Sequence, residues 1–243
     1  MPNVANEPAP LDRSAILPPT NFQLDRRLSV AEQVYRLLRH EIVMLHFLPG
    51  ASISESTLCR KFGVSRTPIR AAIQLLVEEG LVDVFPNQGS FVAPIRLTAL
   101  QDSQFVRLAV EVALLKDVAG HWSPEHSATA RESVARQRVA IAADDVDACQ
   151  LEDERFHRLL SVFAERPGVW PTIVSTTTRL ARFMRLCGTP DRRPVAAAEH
   201  EAVVDALDRS DLPGAEAALA FHIGRNFELV DTMKQRFESY FVD

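Results

Sequence analysis

The sequence predicts a mainly α-helical chain in two parts, and three observations carry that expectation. Apolar residues recur at helical spacing through most of its 243 residues. A Gly63-Val64-Ser65 turn joins two short periodic segments, and a glycine-tipped hairpin follows them. After residue 97 no stretch has convincing strand composition, so the larger part reads as an antiparallel bundle of about six helices.

Composition sets the outer limits. With 47% apolar and 24% charged residues the chain is ordinary for a protein that buries its own cores, and its length suits two domains. No apolar run approaches the roughly 18 residues of a membrane span, and the start has prolines and acids where a secretory signal would be basic and apolar. A cytoplasmic protein without membrane contact is expected. Cys59, Cys149 and Cys187 lack C-x-x-C spacing, which argues against a disulfide framework or a cysteine metal site.

Residues 1–27 are proline-rich and aperiodic and read as a disordered arm. The first domain is expected over residues 28–96. Ser29 with Glu32 makes a capping box, and Val30, Val34, Leu37, Leu38, Ile42 and Leu45 continue a helix until Pro49-Gly50. Ser54 caps a second helix with Leu58 and Phe62 inward. Gly63 supplies the left-handed stop, and Ser65 is placed to cap a third helix over residues 66–79 with Pro68 in its first turn. Ile69, Ile73, Leu76 and Val77 give that helix one apolar face. Residues 81–85 and 90–93 have strand composition around the turn residues Pro86-Asn87-Gln88-Gly89. Three helices and a hairpin make a winged helix-turn-helix, a DNA-binding domain.

Residues 94–97 read as a linker, and residues 97–243 as the all-helical domain. Thr98 with Gln101 forms a capping box before Phe105, Leu108, Val112 and Leu115, and Ser123-Pro124 starts the next helix. Further helices are expected over about 144–163, 170–186, 195–209 and 213–237.

Two constellations could carry function. Arg66 and Arg70 are one turn apart at the N-terminal end of the third helix, clear of its apolar face, and arginine's fork matches the O6 and N7 acceptors of guanine. Thr67, Lys61 and the backbone N–H groups of the helix start suit phosphates; Ser65 and Arg60 complete that set, and Gln88-Gly89 at the wing tip suits a minor groove. Charge divides unevenly: residues 28–96 carry 7 basic and 6 acidic side chains, residues 97–243 carry 17 and 23. Arg36, Arg39, Arg60, Lys61, Arg66 and Arg70 must therefore gather on one side for phosphate attraction to matter.

The second constellation is Asp153-x-x-x-His157 with His200 and His222 on two further helices. Three imidazoles and a carboxylate suit zinc, nickel or another first-row divalent ion, with a position open for a ligand carboxylate. Spacing alone leaves open the alternative of separate histidines bonded in the core. Arg107 and Glu111, four apart, read either as an intrahelical ion pair or as an inward arginine meeting an acidic ligand, with Arg179, Arg182 and Arg185 as further candidates. No glycine-rich phosphate loop and no G-x-S-x-G occurs.

The stretches Leu48-Pro49-Gly50, Ile53-Ser54-Glu55, Gly63-Val64-Ser65-Arg66-Thr67-Pro68-Ile69-Arg70, Glu79-Gly80-Leu81-Val82 and Gly89-Ser90-Phe91-Val92 resemble the winged helix of the GntR family of bacterial transcription regulators. The remainder resembles the FadR-type ligand domain through Arg107-x-x-x-Glu111, Asp153-x-x-Phe156-His157, His200 and His222-Ile223. The resemblance implies a homodimer on a palindromic double-stranded operator, a repressor that is not an enzyme. It also implies a small carboxylate metabolite sensed at a divalent ion on Asp153, His157, His200 and His222. Ala71, Ser56-Thr57 and the run Ala164-Glu165-Arg166-Pro167-Gly168 depart from the family pattern. The rival expectation is a metal-dependent hydrolase or lyase using the same cage, with Glu199 or Glu201 as general base.

Overall fold

The computed structural model describes residues 24, 25 and 27–243; the arm expected over residues 1–27 falls outside them apart from residues 24, 25 and 27. The chain forms two compact units, one running to Ile95 and the other from Arg96 to Phe241.

In the first unit α1 (Val30–Val43) starts where Ser29 Oγ accepts from the Glu32 backbone N–H. It ends earlier than its apolar period suggests. Leu45 adopts a left-handed φ of 56°, and the Phe47 N–H turns back to the Glu41 carbonyl at 2.9 Å, so Met44 and Phe47 are buried from a turn instead of a helix. Strand β1 (Ser52–Ile53) follows, then α2 (Glu55–Phe62), capped by the Ser54 hydroxyl. Gly63, at φ 64°, closes α2 with its N–H on the Cys59 carbonyl, a conformation that costs an L-residue roughly 1–2 kcal/mol. α3 (Arg66–Glu78) then packs on α1, burying Ile69, Ala72, Ile73 and Leu76 against the element that carries Val34, Leu38 and Ile42. Strands β2 (Val82–Phe85) and β3 (Gly89–Val92) pair antiparallel from Val82 opposite Val92 to Phe85 opposite Gly89. β1 adds to the other edge of β3, giving the order β1-β3-β2. A strand of two residues has too little periodicity to be read from sequence.

The second unit is helical: α4 (Leu97–Ala119), α5 (Pro124–Ala142), α6 (Val146–Phe163), α7 (Val169–Cys187), α8 (Arg192–Asp208), α9 (Leu212–Arg225) and a short α10 (Val230–Arg236). α4 starts one residue before Thr98, so the Thr98–Gln101 capping box is unused. The Ser123-Pro124 start is used as read, with Ser123 Oγ accepting from the His126 N–H. The last helix is broken: a 3₁₀ turn over Asn226–Leu229 separates α9 from α10. Leu114, Leu115, Val118, Phe156, Leu160, Val203, Leu207, Leu219 and Ile223 belong to one apolar core. Burying such leucines and phenylalanines contributes about 1.5–3 kcal/mol each, which fixes the helices that carry the polar site beside them. No helix among the described residues is long and apolar enough to cross a membrane.

Candidate functional site

On α4 the buried face continues the 3–4 spacing through Leu100, Ser103, Arg107, Glu111, Leu114, Leu115 and Val118, so three polar residues occupy core positions. Burying charge is costly unless it is paired, and these are. Arg107 Nε donates to Glu111 Oε1 at 2.7 Å, and Glu111 Oε2 lies 2.5 Å from His157 Nδ1. Arg107 is therefore an intrahelical partner, yet a buried one that supports a histidine. Burial acts to raise the Glu111 carboxyl, and the attraction of His157 and Arg107 overcomes it, holding it at about 2.

His157 on α6, His200 on α8 and His222 on α9 are all fully or almost fully buried and converge. His222 Nε2 lies 3.1 Å from His157 Nε2 and 3.0 Å from His200 Nε2, and Asp153 Oδ1 is 3.6 Å from His200 Nε2. All four ligand atoms fall within 4.8 Å of one another. The opposite ring nitrogens face acceptors: His157 Nδ1 meets Glu111, His200 Nδ1 meets Gln137 Oε1 at 3.0 Å, and His222 Nδ1 meets Glu199 Oε2 at 2.8 Å. Those acceptors assign the proton to Nδ1 in each ring and turn three Nε2 lone pairs on one point. Phe156 stacks on His200 with ring centroids 4.1 Å apart and holds its plane. Burial depresses both His200 and His222, and neighbouring imidazoles push the same way, so they stand as neutral rings, the form that binds a metal. Close, unprotonated lone pairs repel unless a cation lies between them, and the donor set fits a divalent ion.

A cavity of about 70 Å³ opens beside this cage, with Asp153 and His222 in its wall. Its arginines are Arg185, Arg192 and Arg193. Arg179 lies exposed on a different, shallow surface with Asp102 and Ser175, and Arg182 is buried in α7. Sequence reasoning missed Gln137, Arg192 and Arg193, and it gave Glu199 a different role. A glutamine on the buried stripe Ala130, Val134, Gln137, Ala140 of α5 was the available signal.

The DNA-reading candidates lie at the start of α3 and on the wing. Arg66 and Thr67 are exposed in the first turn. Ser65 occupies the N-cap position without a side-chain bond to the helix, contrary to the expected cap. Arg70 is exposed one turn on, and its Nε donates to Glu55 Oε2 at 2.9 Å. Arg60, Gln88 and Gly89 are exposed and Lys61 is half-buried. Of the six cations expected to gather, Arg36 pairs with Glu32, Arg39 with Glu79 and Arg70 with Glu55, so three spend charge on partners within the domain.

A helix-turn-helix with wing, followed by an all-helical domain built around a histidine cage, defines a DNA-binding transcription regulator. Residues 30–92 match the family described as "Bacterial regulatory proteins, gntR family", and residues 102–225 match the "FCD domain". The chain belongs to the GntR family, in the branch that carries an FCD domain. It is 33% identical over 218 residues to an uncharacterised HTH-type transcriptional regulator in an unstable DNA locus of Streptomyces ambofaciens, covering 88% of this chain and 89% of that one. The HTH-type transcriptional repressor RspR of Escherichia coli is 29% identical over 223 residues, covering 90% and 96%. Among solved structures, McbR/YncC of E. coli shares the fold with a TM-score of 0.71 at 20% identity, over 86% of this chain and 99% of that one.

As a member of this family of transcription regulators the protein is not an enzyme, and both carboxylates offered as bases in the rival hydrolase reading have partners in the structure. Glu199 is committed to His222 and Arg192, at 2.8 and 2.6 Å, and Glu201 is bonded to Arg138.

Proposed function

We propose that this regulator is a repressor that binds a palindromic operator as a homodimer in the cytoplasm, and that a small carboxylate metabolite sensed in the helical domain alters its grip on DNA. Arg66 and Arg70 read guanines in the major groove, while Thr67, Ser65, Lys61 and Arg60 hold phosphates. Because Ser65 leaves the first-turn N–H groups of α3 without a side-chain cap, those donors are open to a phosphate as well. Gln88 and Gly89 reach the minor groove from the wing tip.

The observation that carries the sensing half is the convergence of three Nε2 atoms whose Nδ1 partners are all acceptors. Asp153, His157, His200 and His222 would hold a divalent ion, zinc or nickel, which supplies a Lewis-acidic position for the acid's carboxylate. Glu111, Gln137 and Glu199 orient the rings. Occupancy of the cage and cavity biases an equilibrium between states of different operator affinity.

Elemental analysis of the purified protein, followed by operator titration with and without chelator, tests this reading. One divalent ion per chain and a metal-dependent response to acids are expected. A protein that retains no metal, and whose melting is indifferent to added zinc and nickel, would overturn it.

A further inference from the structure

The cavity beside the cage has a second wall that the metal reading does not use. Arg185 at the end of α7 and Arg192 and Arg193 at the start of α8 line it, with side chains only 13%, 10% and 9% exposed. Each has one acidic partner: Asp147 for Arg185, Glu199 for Arg192 at 2.6 Å and Asp144 for Arg193 at 2.6 Å. Arg192 also donates from Nε to Asn226 Oδ1 at 3.0 Å and Arg193 from Nη1 to Cys149 Sγ, yet a guanidinium carries five N–H donors and some remain unused. Arg185 Nη1, Arg192 Nη1 and Arg193 Nε are buried with no hydrogen-bond partner among the described residues. Unmet buried donors on charged groups are costly, and all three belong to arginines that line this one cavity, where Gln150 Oε1 is an unmet acceptor as well.

The partner acids are also unequally placed. Asp144 is 81% exposed and Asp147 43% exposed, so water screens them, whereas the guanidiniums they meet are inside. The cavity therefore feels more positive charge than a count of pairs suggests. A group that satisfies it must be anionic and accept several hydrogen bonds.

We propose that the effector carries two acidic groups, one at the histidine cage and the other on the guanidiniums of Arg185, Arg192 and Arg193. This rests on the reading of the cage as a metal-and-acid site and adds to it the requirement for a second acid. The second group is a carboxylate or a phosphoryl, since both present oxygens to a guanidinium fork.

Calorimetric titration of the full, zinc-loaded chain tests it with three probes: butanoate, succinate and 2-phosphoglycolate. Succinate or 2-phosphoglycolate is expected to bind about tenfold or more tightly than butanoate, the worth of charge-assisted bonds to otherwise unmet arginine donors. Which of the two wins identifies the second group. Arg193→Gln and Arg185→Gln, neither of which touches the cage, should each reduce that preference severalfold while zinc content stays at wild-type level. Equal binding of butanoate and both diacids, or a preference that survives both substitutions, overturns the proposal. Diacid preference in a chain that holds no zinc would sink the metal reading and keep the arginine subsite. Retained zinc with butanoate bound as well as the diacids would do the reverse.

Discussion

Gln137→Leu separates a metal cage from a cluster of histidines that merely pack. Gln137 is buried, and its Oε1 accepts from His200 Nδ1 at 3.0 Å. Leucine has nearly the same size and no acceptor. His200 is fully buried, so its Nδ1–H must then go unmet, at about 1–3 kcal/mol, or the proton must move to Nε2 and cover the lone pair aimed at the ion. Either route weakens metal binding, and loss of such a supporting partner typically costs 10–100-fold, or about 1.4–2.7 kcal/mol. An ion present at a hundred times its dissociation constant stabilises the fold by about 2.7 kcal/mol, and a hundredfold weaker site loses most of that. In a chain of this size the metal-loaded melting temperature then falls by roughly 5–10 °C, while chelated wild type and variant differ far less. Chelator competition gives the affinity and scanning fluorimetry the melting shift. Gln137→Glu, which keeps an acceptor at the same place, should preserve binding. If Gln137→Leu holds zinc within about twofold of wild type, the proton assignment on which the cage rests is wrong.

Three further outcomes are expected. Arg66→Ala should cost about 1–3 kcal/mol on a specific operator and relax preference at one base position, measured by fluorescence anisotropy; unchanged specific affinity removes Arg66 from base reading. Gly63→Ala meets no neighbouring atom but inherits φ 64°, so urea unfolding should show about 1 kcal/mol of destabilisation from backbone strain alone, and a neutral result would mean the turn relaxes. Asp208 is pushed up by burial and held down more strongly by bonds from Trp122 at 2.8 Å, Arg131 at 2.6 Å and Ser127 at 3.0 Å, giving a net lowered pKa. A depressed carboxylate contributes stability above its unfolded pKa of 3.8 and loses it as pH falls through the lower folded value. Asp208→Asn should therefore be less stable than wild type at pH 7 and converge with it in strong acid; a constant gap across that range would assign the effect to packing.

Local signals were legible and tertiary ones were not. Ser29, Ser54 and Ser123 cap the helices their spacing marked, because a cap is decided within four residues. Leu45 was misread because its apolar side chain fits a helical period, while the backbone leaves the helix two residues earlier to bury Phe47. The α9 break at Asn226 is equally non-local: its Oδ1 accepts from Arg192 on α8 at 3.0 Å, a bond no neighbour in sequence announces. The histidines themselves stand 43 and 22 positions apart, so spacing could place only Asp153 with His157 on one face, and the resemblance supplied the rest. The supporting layer of Gln137, Arg192 and Arg193 could be seen only once α5 and α8 were packed together.

The charges around the cage also bear on what it can accept. Asp153, Glu111 and Glu199 bring three carboxylates, with Glu111 and Glu199 both held in the ionised form, and Arg107 and Arg192 bring two guanidiniums. Counting these side chains alone, carboxylates exceed guanidiniums by one. A dication reverses this balance, leaving one positive charge among buried side chains. An uncompensated buried charge is strongly unfavourable, and a single carboxylate cancels it. The same reckoning explains why the second acid of the proposed effector must find its own cations: Arg185 and Arg193, whose partner acids face water, are the groups in that wall able to supply them. Ion and effector are thus linked by charge as well as by coordination, and acid binding should strengthen metal retention to the same degree that metal strengthens acid binding.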